Sequence, residues 1–178
     1  MQPWKHFKTI TYHRLLVMKY CFRVGLIRQG LTHDLSKYSP AEFWPGAKYY
    51  QGTRSPNAAE REQNGYSLAW MHHKGRNRHH YEYWTDLNLK TRKYEAIQMP
   101  RRYFVEMVMD RIAASKVYKG AAYTDGAALE YLRTSKEVTM LHPETMRQLE
   151  LVLTMLKEQG EDATFHFIRE VVLKGKPF

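Results

Sequence analysis

Residues 30–40 of the chain read Gly30-Leu31-Thr32-His33-Asp34-Leu35-Ser36-Lys37-Tyr38-Ser39-Pro40. The stretch sets a histidine beside an aspartate and places a lysine three residues after the aspartate. It ends on a serine and a proline, with a glutamate three residues beyond that serine, which is a common start of an α-helix. We therefore expect the His-Asp pair to lie in a short link between two helices.

Outward from this stretch, apolar residues recur at helical spacing almost throughout, and no segment alternates cleanly between apolar and polar residues. The sequence predicts an all-α protein. The expected helices run from about Trp4 to Val24, ended by Gly25; from Ser39-Pro40; from Asn57 to near Gly75; from Pro100 to about Lys119; from Pro143 to Gln159; and from Asp162 to Leu173. The apolar stripes of the last two predict core packing and comprise Met146, Leu149, Val152, Leu153 and Leu156, then Phe165, Ile168, Val171 and Val172.

The chain has 178 residues, of which 43% are hydrophobic, and no linker divides it. We expect a single helical domain over 1–178, which the family resemblance described below divides into a core at 10–120 and C-terminal helices at 121–178. Cys21 is the sole cysteine, which excludes an intrachain disulfide and a cysteine-based zinc site. Charged residues interrupt every apolar run near the N-terminus, so we expect no signal peptide, no membrane partner and a cytoplasmic location.

The charge is unevenly placed along the chain. The formal net charge is +10, and residues 1–120 alone hold 21 basic and 9 acidic side chains. An excess of that kind favours an anionic partner, such as a nucleotide or another anionic small molecule, with nucleic acid as a further possibility. Oligomeric state is not predicted by any of these features.

Two polar residues interrupt apolar helix faces. His13 shares a face with Ile10 and Val17, and Asp110 shares one with Met107 on the helix that begins at Pro100. A buried imidazole or carboxylate needs a partner. Each could be an ordinary core residue with a hydrogen bond, and Asp110 could pair with an arginine. Alternatively, His13 and Asp110 bind one cation together, and the His33-Asp34 pair contributes to the same site.

His33 and Asp34, with an isolated histidine 20 residues upstream and a lone aspartate on a later helix, resemble the HD-domain superfamily of metal-dependent phosphohydrolases. The segment from His33 to Lys37 is similar to the His-Asp-x-x-Lys variant of members with two metals. Together with His72-His73 through Asn77, His79-His80 and Glu82-Tyr83-Trp84, residues 30–40 also look like an uncharacterised HD-like family of bacteria and phages. The resemblance covers about residues 10–120 and implies an HD-domain-like helical bundle.

The resemblance also implies a set of site residues. His13, His33, Asp34 and Asp110 would hold a first divalent ion, with Mn, Fe, Zn or Ni as candidates. Asp34 would bridge to a second ion completed by His73 and His80, while His72 and His79 are substitutes, outer donors or substrate-binding residues. Lys37 would stabilise charge on the substrate as a catalytic residue, with Arg76 and Arg78 as weaker substrate-binding candidates.

Three functions remain open at this level. The resemblance favours a phosphohydrolase acting on a nucleotide or related phosphate ester. Some HD-fold proteins with the His-Asp-x-x-Lys element resemble di-iron oxygenases, which the histidine content also permits. A third hypothesis is a non-catalytic, basic nucleic-acid-binding protein, with aromatic and basic residues interleaved over 76–84 and 90–103. Ser36 stands where many two-metal members have glycine, and the Gly-Tyr-Pro element of cyclic-dinucleotide-degrading members is missing, so that substrate is not assigned.

Overall fold

The computed structural model describes residues 1–135 and 140–178, which form a mostly helical protein with one small sheet. The predicted helical character is confirmed. The α-helices are α1 (Pro3–Arg23), α2 (Ile27–Thr32), α3 (Pro40–Lys48), α4 (Pro56–Asn64), α5 (Leu68–Lys74), α6 (Arg101–Lys119), α7 (Ala127–Thr134) and α8 (Pro143–Phe167). Single 3-10 turns cover Leu35–Tyr38, Tyr81–Tyr83 and Gly120–Ala122, and a π-helical turn, Ile168–Val172, continues α8.

The hydrophobic core joins α1, α6, α7 and α8. The predicted stripe of α8 is its centre, since Leu149, Val152, Leu153 and Leu156 are fully buried. Cys21 of α1 is also fully buried, and burial raises the pKa of its thiol to about 12, so it packs as a small neutral side chain. This core holds α1 alongside α6. Helix α1 carries His13 and helix α6 carries Asp110, which are the first and the last of the predicted metal ligands along the chain.

Helix boundaries follow the local sequence where glycine or proline specifies them. Gly25 has a φ of +88°, just after α1, as its predicted role as a helix terminator requires. Pro40 and Pro143 occupy the first positions of α3 and α8. The side chain of Ser39 makes no capping hydrogen bond, however, so the start of α3 depends on Pro40 rather than on the predicted cap.

Several predicted elements were wrong in detail. The link before His33 contains the short helix α2, and the single helix expected from Asn57 to Gly75 is split into α4 and α5. The split falls at Gly65, whose φ of +80° no helical residue adopts. The break expected between the two C-terminal helices is confirmed, however, because α8 is kinked at Gly160, whose φ of +77° and ψ of −179° are not helical. Helix α7 was not predicted.

A β-hairpin, also unpredicted, follows the second histidine doublet. Strand β1 (Thr85–Asn88) pairs antiparallel with β2 (Lys93–Ala96), with Asn88 opposite Lys93. Each strand has only four residues and is largely exposed, so the hairpin lacks the buried alternation by which a sequence pattern reveals a strand. Across the described part of the chain, no helix has both the length and the apolar character needed to span a membrane.

Candidate metal centre

The His-Asp pair lies where α2 ends and the 3-10 turn begins. Asp34 adopts the left-handed conformation, with a φ of +53° and a ψ of +24°. For a residue with a β-carbon this costs about 1 kcal/mol or more, and such strain is concentrated at functional sites. The side chains of His33 and Asp34 are almost completely buried. The turn thus directs a carboxylate into the protein interior, where it needs compensating partners.

A first cluster consists of His13, His33, Asp34 and Asp110, and α1 and α6 supply its outer members. Nε2 of His13 lies 2.9 Å from Oδ1 of Asp110 and 3.8 Å from Oδ2 of Asp34. Nε2 of His33 lies 3.3 Å from the same Asp34 oxygen and 3.7 Å from Oδ1 of Asp110. Arg14 does not take this place, because it donates instead to the carbonyl oxygens of Leu31 and His33.

A second cluster consists of Asp34, His73, His79 and His80. His73 is on α5, and the other two histidines follow in the turn before the hairpin. Nε2 of His73 lies 3.3 Å from Oδ1 of Asp34, and Nε2 of His79 lies 3.5 Å from that oxygen. The rings of His79 and His80 are adjacent, with centroids 4.1 Å apart. Both members of the second doublet therefore reach this cluster, a point that the sequence left open.

Asp34 belongs to both clusters through different oxygens. Oδ2 is the oxygen near His13 and His33, whereas Oδ1 is the oxygen near His73 and His79. A carboxylate whose two oxygens face separate sets of imidazole nitrogens has the arrangement of a bridging ligand. Atoms that share one ion at about 2.0–2.2 Å lie about 3 to 4 Å apart, which is the range of these separations.

Many inward-facing polar atoms have no hydrogen-bond partner among the described residues. They are Nε2 of His13, His33, His73, His79 and His80, together with both carboxylate oxygens of Asp34. Several lie close to one another, as given above, but without hydrogen-bonding geometry, and Oδ2 of Asp34 forms an ion pair with the ammonium of Lys37. Burying so many unsatisfied polar atoms is strongly unfavourable unless another group binds them. Imidazole nitrogen and carboxylate oxygen are ligands of transition metals, so the residues present fit a divalent ion in each cluster.

Two glutamates that the sequence reasoning missed surround the clusters. Oε1 of Glu106, on α6, lies 3.0 Å from Nδ1 of His33 and 3.2 Å from Nδ1 of His79. Oε2 of Glu42, on α3, lies 2.7 Å from Nδ1 of His73. An N–H at Nδ1 that donates to a carboxylate leaves Nε2 free to bind an ion. Such glutamates orient metal-binding histidines.

A sequence signal existed for one of these glutamates only. Glu106 precedes Asp110 by four residues, which places the two carboxylates on one face of α6. Glu42 gave no comparable signal, because its position after Ser39 matched a capping box. Its partners on α5 are 30 and 31 residues away in the chain, so only the packing of α3 against α5 reveals its role.

The carboxylates of the site remain ionised. Burial alone would raise the pKa of Asp34, but the charges of His33 and Lys37 hold it well below its usual range. Burial would also raise the pKa of Glu106, but hydrogen bonds from His33 and His79 outweigh this effect and lower the pKa. Asp110 likewise has a pKa well below its usual value, since His13 and His33 outweigh its burial.

The negative charge exceeds the positive charge that Lys37 supplies. Burial lowers the pKa of His13, and burial with neighbouring histidines lowers that of His80 well below its usual value, so these two rings are neutral at pH 7. Burial also opposes a proton on His33 and on His73, but the charge of Asp34 outweighs it and raises the pKa of both rings, which add positive charge to that of Lys37. The four ionised carboxylates, those of Asp34, Glu42, Glu106 and Asp110, still outnumber these three cations. The cluster therefore attracts positive charge, and divalent cations would supply it.

The residues of the site differ in their exposure to solvent. The Asp110 side chain is 17% exposed and that of Lys37 is 27% exposed, whereas those of His33 and His79 are at most 1% exposed. Nζ of Lys37 lies 2.5 Å from Oδ2 of Asp34. The first cluster is therefore partly exposed at Asp110 and Lys37, and the second is partly exposed at His80.

The remaining predicted residues lie farther out. Nδ1 of His72 is 2.6 Å from Oε1 of Glu42, so His72 contacts the outer carboxylate rather than Asp34. Arg76 is exposed and donates to the carbonyl oxygen of His72. Arg78 is also exposed, donates to the hydroxyl of Tyr103, and stacks its guanidinium on aromatic rings. The structure gives neither arginine a contact with the clusters, and their substrate-binding role stays a prediction.

Fold and site together define a mostly helical protein with a buried histidine–carboxylate centre that could hold metal ions. A family model described as a family of unknown function (DUF5662) matches residues 2–155, and the chain belongs to this family. The matched range contains both clusters and the two outer glutamates. No curated protein and no solved structure matches the chain. The resemblance to the HD-domain superfamily therefore stays a prediction.

Proposed function

We propose that the protein is a metal-dependent phosphohydrolase of the HD-domain type that acts on a nucleotide or a related phosphate ester. The proposal rests on the position of Asp34 between the two clusters. Its Oδ2 faces His13 and His33, and its Oδ1 faces His73 and His79. This arrangement suits two ions that share one carboxylate. Two-metal sites of that kind are common in enzymes that hydrolyse phosphate esters.

The donor set favours a transition metal. Five imidazoles with two aspartates suit Mn, Fe, Zn or Ni better than Mg or Ca, which prefer oxygen ligands. Ions held here would activate a water molecule and neutralise charge on a phosphoryl group. His13, His33 and Asp110 would hold the first, His73, His79 and His80 the second, and Asp34 both. The outer glutamates would keep the imidazole Nε2 atoms directed inward.

Lys37 provides the group that would bind the substrate. Its ammonium lies at the accessible edge of the first cluster, and the carboxylates of Asp34 and Asp110 outweigh burial and raise its pKa, so it stays charged. A fixed positive charge there would bind a phosphoryl oxygen and stabilise the negative charge that develops during hydrolysis. The basic excess of residues 1–120 supports an anionic substrate in the same part of the chain.

The first experiment is elemental analysis of protein purified without a metal-affinity column. The test variant carries His33→Ala and Asp34→Ala, and the matched control carries His166→Ala, which removes an exposed histidine on α8. We expect one or two equivalents of a transition metal in the wild type and the control, and none in the test variant. Equal metal in all three, or no metal and no uptake on dialysis, would overturn the metal centre.

The second experiment measures hydrolysis. Wild-type protein with bound metal should release phosphate or nucleoside from a panel of nucleotides and p-nitrophenyl esters, and the His33→Ala/Asp34→Ala variant should not. Bound iron with oxygen consumption and no phosphate-ester hydrolysis would instead favour the di-iron oxygenase. The protein could also still bind RNA or single-stranded DNA after chelation and after the double substitution. That result would favour a non-catalytic nucleic-acid-binding protein.

A further inference from the structure

Glu106 lies between histidines of different clusters. Its Oε1 is 3.0 Å from Nδ1 of His33, a member of the first cluster, and 3.2 Å from Nδ1 of His79, a member of the second. One carboxylate oxygen thus contacts both rings. The centroids of these rings are 4.4 Å apart, so neither ring can rotate without disturbing the other.

The direction of both rings follows from this contact. The Nδ1 atoms face Glu106, while the Nε2 atoms of His33 and His79 face Asp34, at 3.3 and 3.5 Å, and lack hydrogen-bond partners among the described residues. An ionised Glu106 accepts a hydrogen bond from the Nδ1–H of each ring and leaves both Nε2 lone pairs available for metal ions. His33, His79 and Glu106 therefore form a hydrogen-bonded set rather than a third metal site.

Glu42 provides a natural comparison. Its two oxygens contact Nδ1 of His72 at 2.6 Å and Nδ1 of His73 at 2.7 Å. Of these partners only His73 is a member of a cluster, and that cluster is the second. Glu42 and Glu106 are both almost completely buried, so they differ in which histidines they hold rather than in their surroundings.

We infer that Glu106 is a positioning residue shared by both metal sites, so that its loss weakens metal binding at both, whereas Glu42 positions the second site alone. This inference rests on the proposed metal centre. Because one carboxylate orients a ligand in each cluster, an ion bound at the first cluster fixes Glu106 and, through it, His79 of the second. Linkage requires the effect to be reciprocal. Asp34 also joins the clusters, but as a ligand, so its substitution removes donor atoms directly.

The test measures Co²⁺ binding to each cluster separately, by calorimetry and by the visible absorption of Co²⁺. A His80→Ala background weakens the second cluster and leaves the first, and a His13→Ala background does the converse. Glu106→Gln and Glu42→Gln are then introduced into each. Glutamine keeps the shape of the side chain but removes its charge, and loss of such an outer partner lowers metal affinity by about 10- to 100-fold.

We expect Glu106→Gln to lower the affinity for Co²⁺ about 10-fold or more in both backgrounds, and Glu42→Gln to do so only in the His13→Ala background. Equal behaviour of the two variants would overturn the inference, as would an unaffected site in either Glu106→Gln protein. The melting temperature of the metal-free proteins separates a positioning role from a folding defect. If Glu106→Gln fails to fold, Glu106→Asp, which keeps the charge and shortens its reach, must show the same loss at both sites.

Failure of the inference and failure of the proposed function give different results. Wild-type protein that binds no Co²⁺ contradicts the metal centre itself, and protein that binds one equivalent contradicts the coupling of two sites. Two equivalents without hydrolysis of any phosphate ester leave the inference intact and overturn the proposed reaction. The measurements of Co²⁺ binding, which alone decide the inference, do not depend on activity.

Discussion

His13 and Asp110 lie on separate helices, and Nε2 of His13 is 2.9 Å from Oδ1 of Asp110. Each interrupts an otherwise apolar helix face, and the packing of α1 against α6 brings the two interruptions together. Neither side chain is an isolated polar residue in the core, because Asp34 and His33 complete the same cluster. The two polar residues that the sequence pattern singled out therefore belong to one cluster.

Replacing Lys37 by methionine should reduce hydrolysis without removing metal. The substitution keeps the length of the side chain but removes the charge beside Asp34, and loss of one charge-stabilising group costs about 100- to 1,000-fold in kcat. Steady-state kinetics with parallel elemental analysis checks this. Lys90→Met, at the exposed hairpin loop, is the control and should retain full activity. A parallel loss of metal and activity in Lys37→Met would show that Lys37 supports the centre instead.

Chelation should destabilise the protein. Removing the ions would leave three buried carboxylates close to the partly exposed Asp110, and a ligand present at 100 times its Kd contributes about 2.7 kcal/mol to the free energy of unfolding. For a chain of this size we expect the melting temperature to fall by about 5 to 10 °C. Calorimetry before and after EDTA, with recovery on addition of Zn²⁺ or Mn²⁺, measures it. An unchanged melting temperature in protein shown to lose its metal contradicts this expectation.

Gly46 should be intolerant of a β-carbon. One built at this position of α3 would lie 2.3 Å from Nε2 of His6, whose side chain is buried against the same helix. We expect Gly46→Ala to lower the free energy of unfolding by about 1 to 3 kcal/mol, measured by urea denaturation. In a His6→Ala background the same substitution should cost little. Gly126→Ala is the control, since its β-carbon would meet the flexible side chains of Lys157, at 3.4 Å, and Glu130, at 3.7 Å. A cost equal to that of Gly46→Ala would refute the steric explanation.

His6 should make stability sensitive to acid. Burial, with a contribution from the charge of Lys37, lowers its pKa from 6.5 to about 4. The unfolded chain therefore binds more protons between those values, and stability falls as pH decreases from about 6.5 towards 4. At pH 5 the loss is about 1 to 2 kcal/mol relative to pH 7.

Urea denaturation of wild type and His6→Asn at pH 7 and pH 5 tests this effect. The difference between the two pH values should be smaller in His6→Asn, while His166→Asn, which alters an exposed histidine, should behave as the wild type does. The same pH dependence in His6→Asn and wild type would show that His6 is not the group responsible.

Local rules determined much of the fold from the sequence. Pro40 and Pro143 begin helices because proline suits the first helical turn, and Gly25 ends α1 because it adopts a positive φ without steric cost. These preferences act within a few residues. Gly65 interrupts a predicted helix by the same rule, whereas Gly160 separates the two predicted C-terminal helices. A glycine inside an apolar pattern does not by itself show which conformation it adopts.

The sequence by itself also determined that polar side chains must meet in the interior, since His13 and Asp110 interrupt apolar stripes and a buried charge requires a partner. Tertiary structure alone decided which atoms meet. The orientation of α5 and of the turn after it places His73, His79 and His80 in the second cluster and His72 outside it. The packing of α3 against α5 places Glu42 in contact with His72 and His73. Such choices depend on side-chain directions set by contacts distant in sequence, which no local spacing rule encodes.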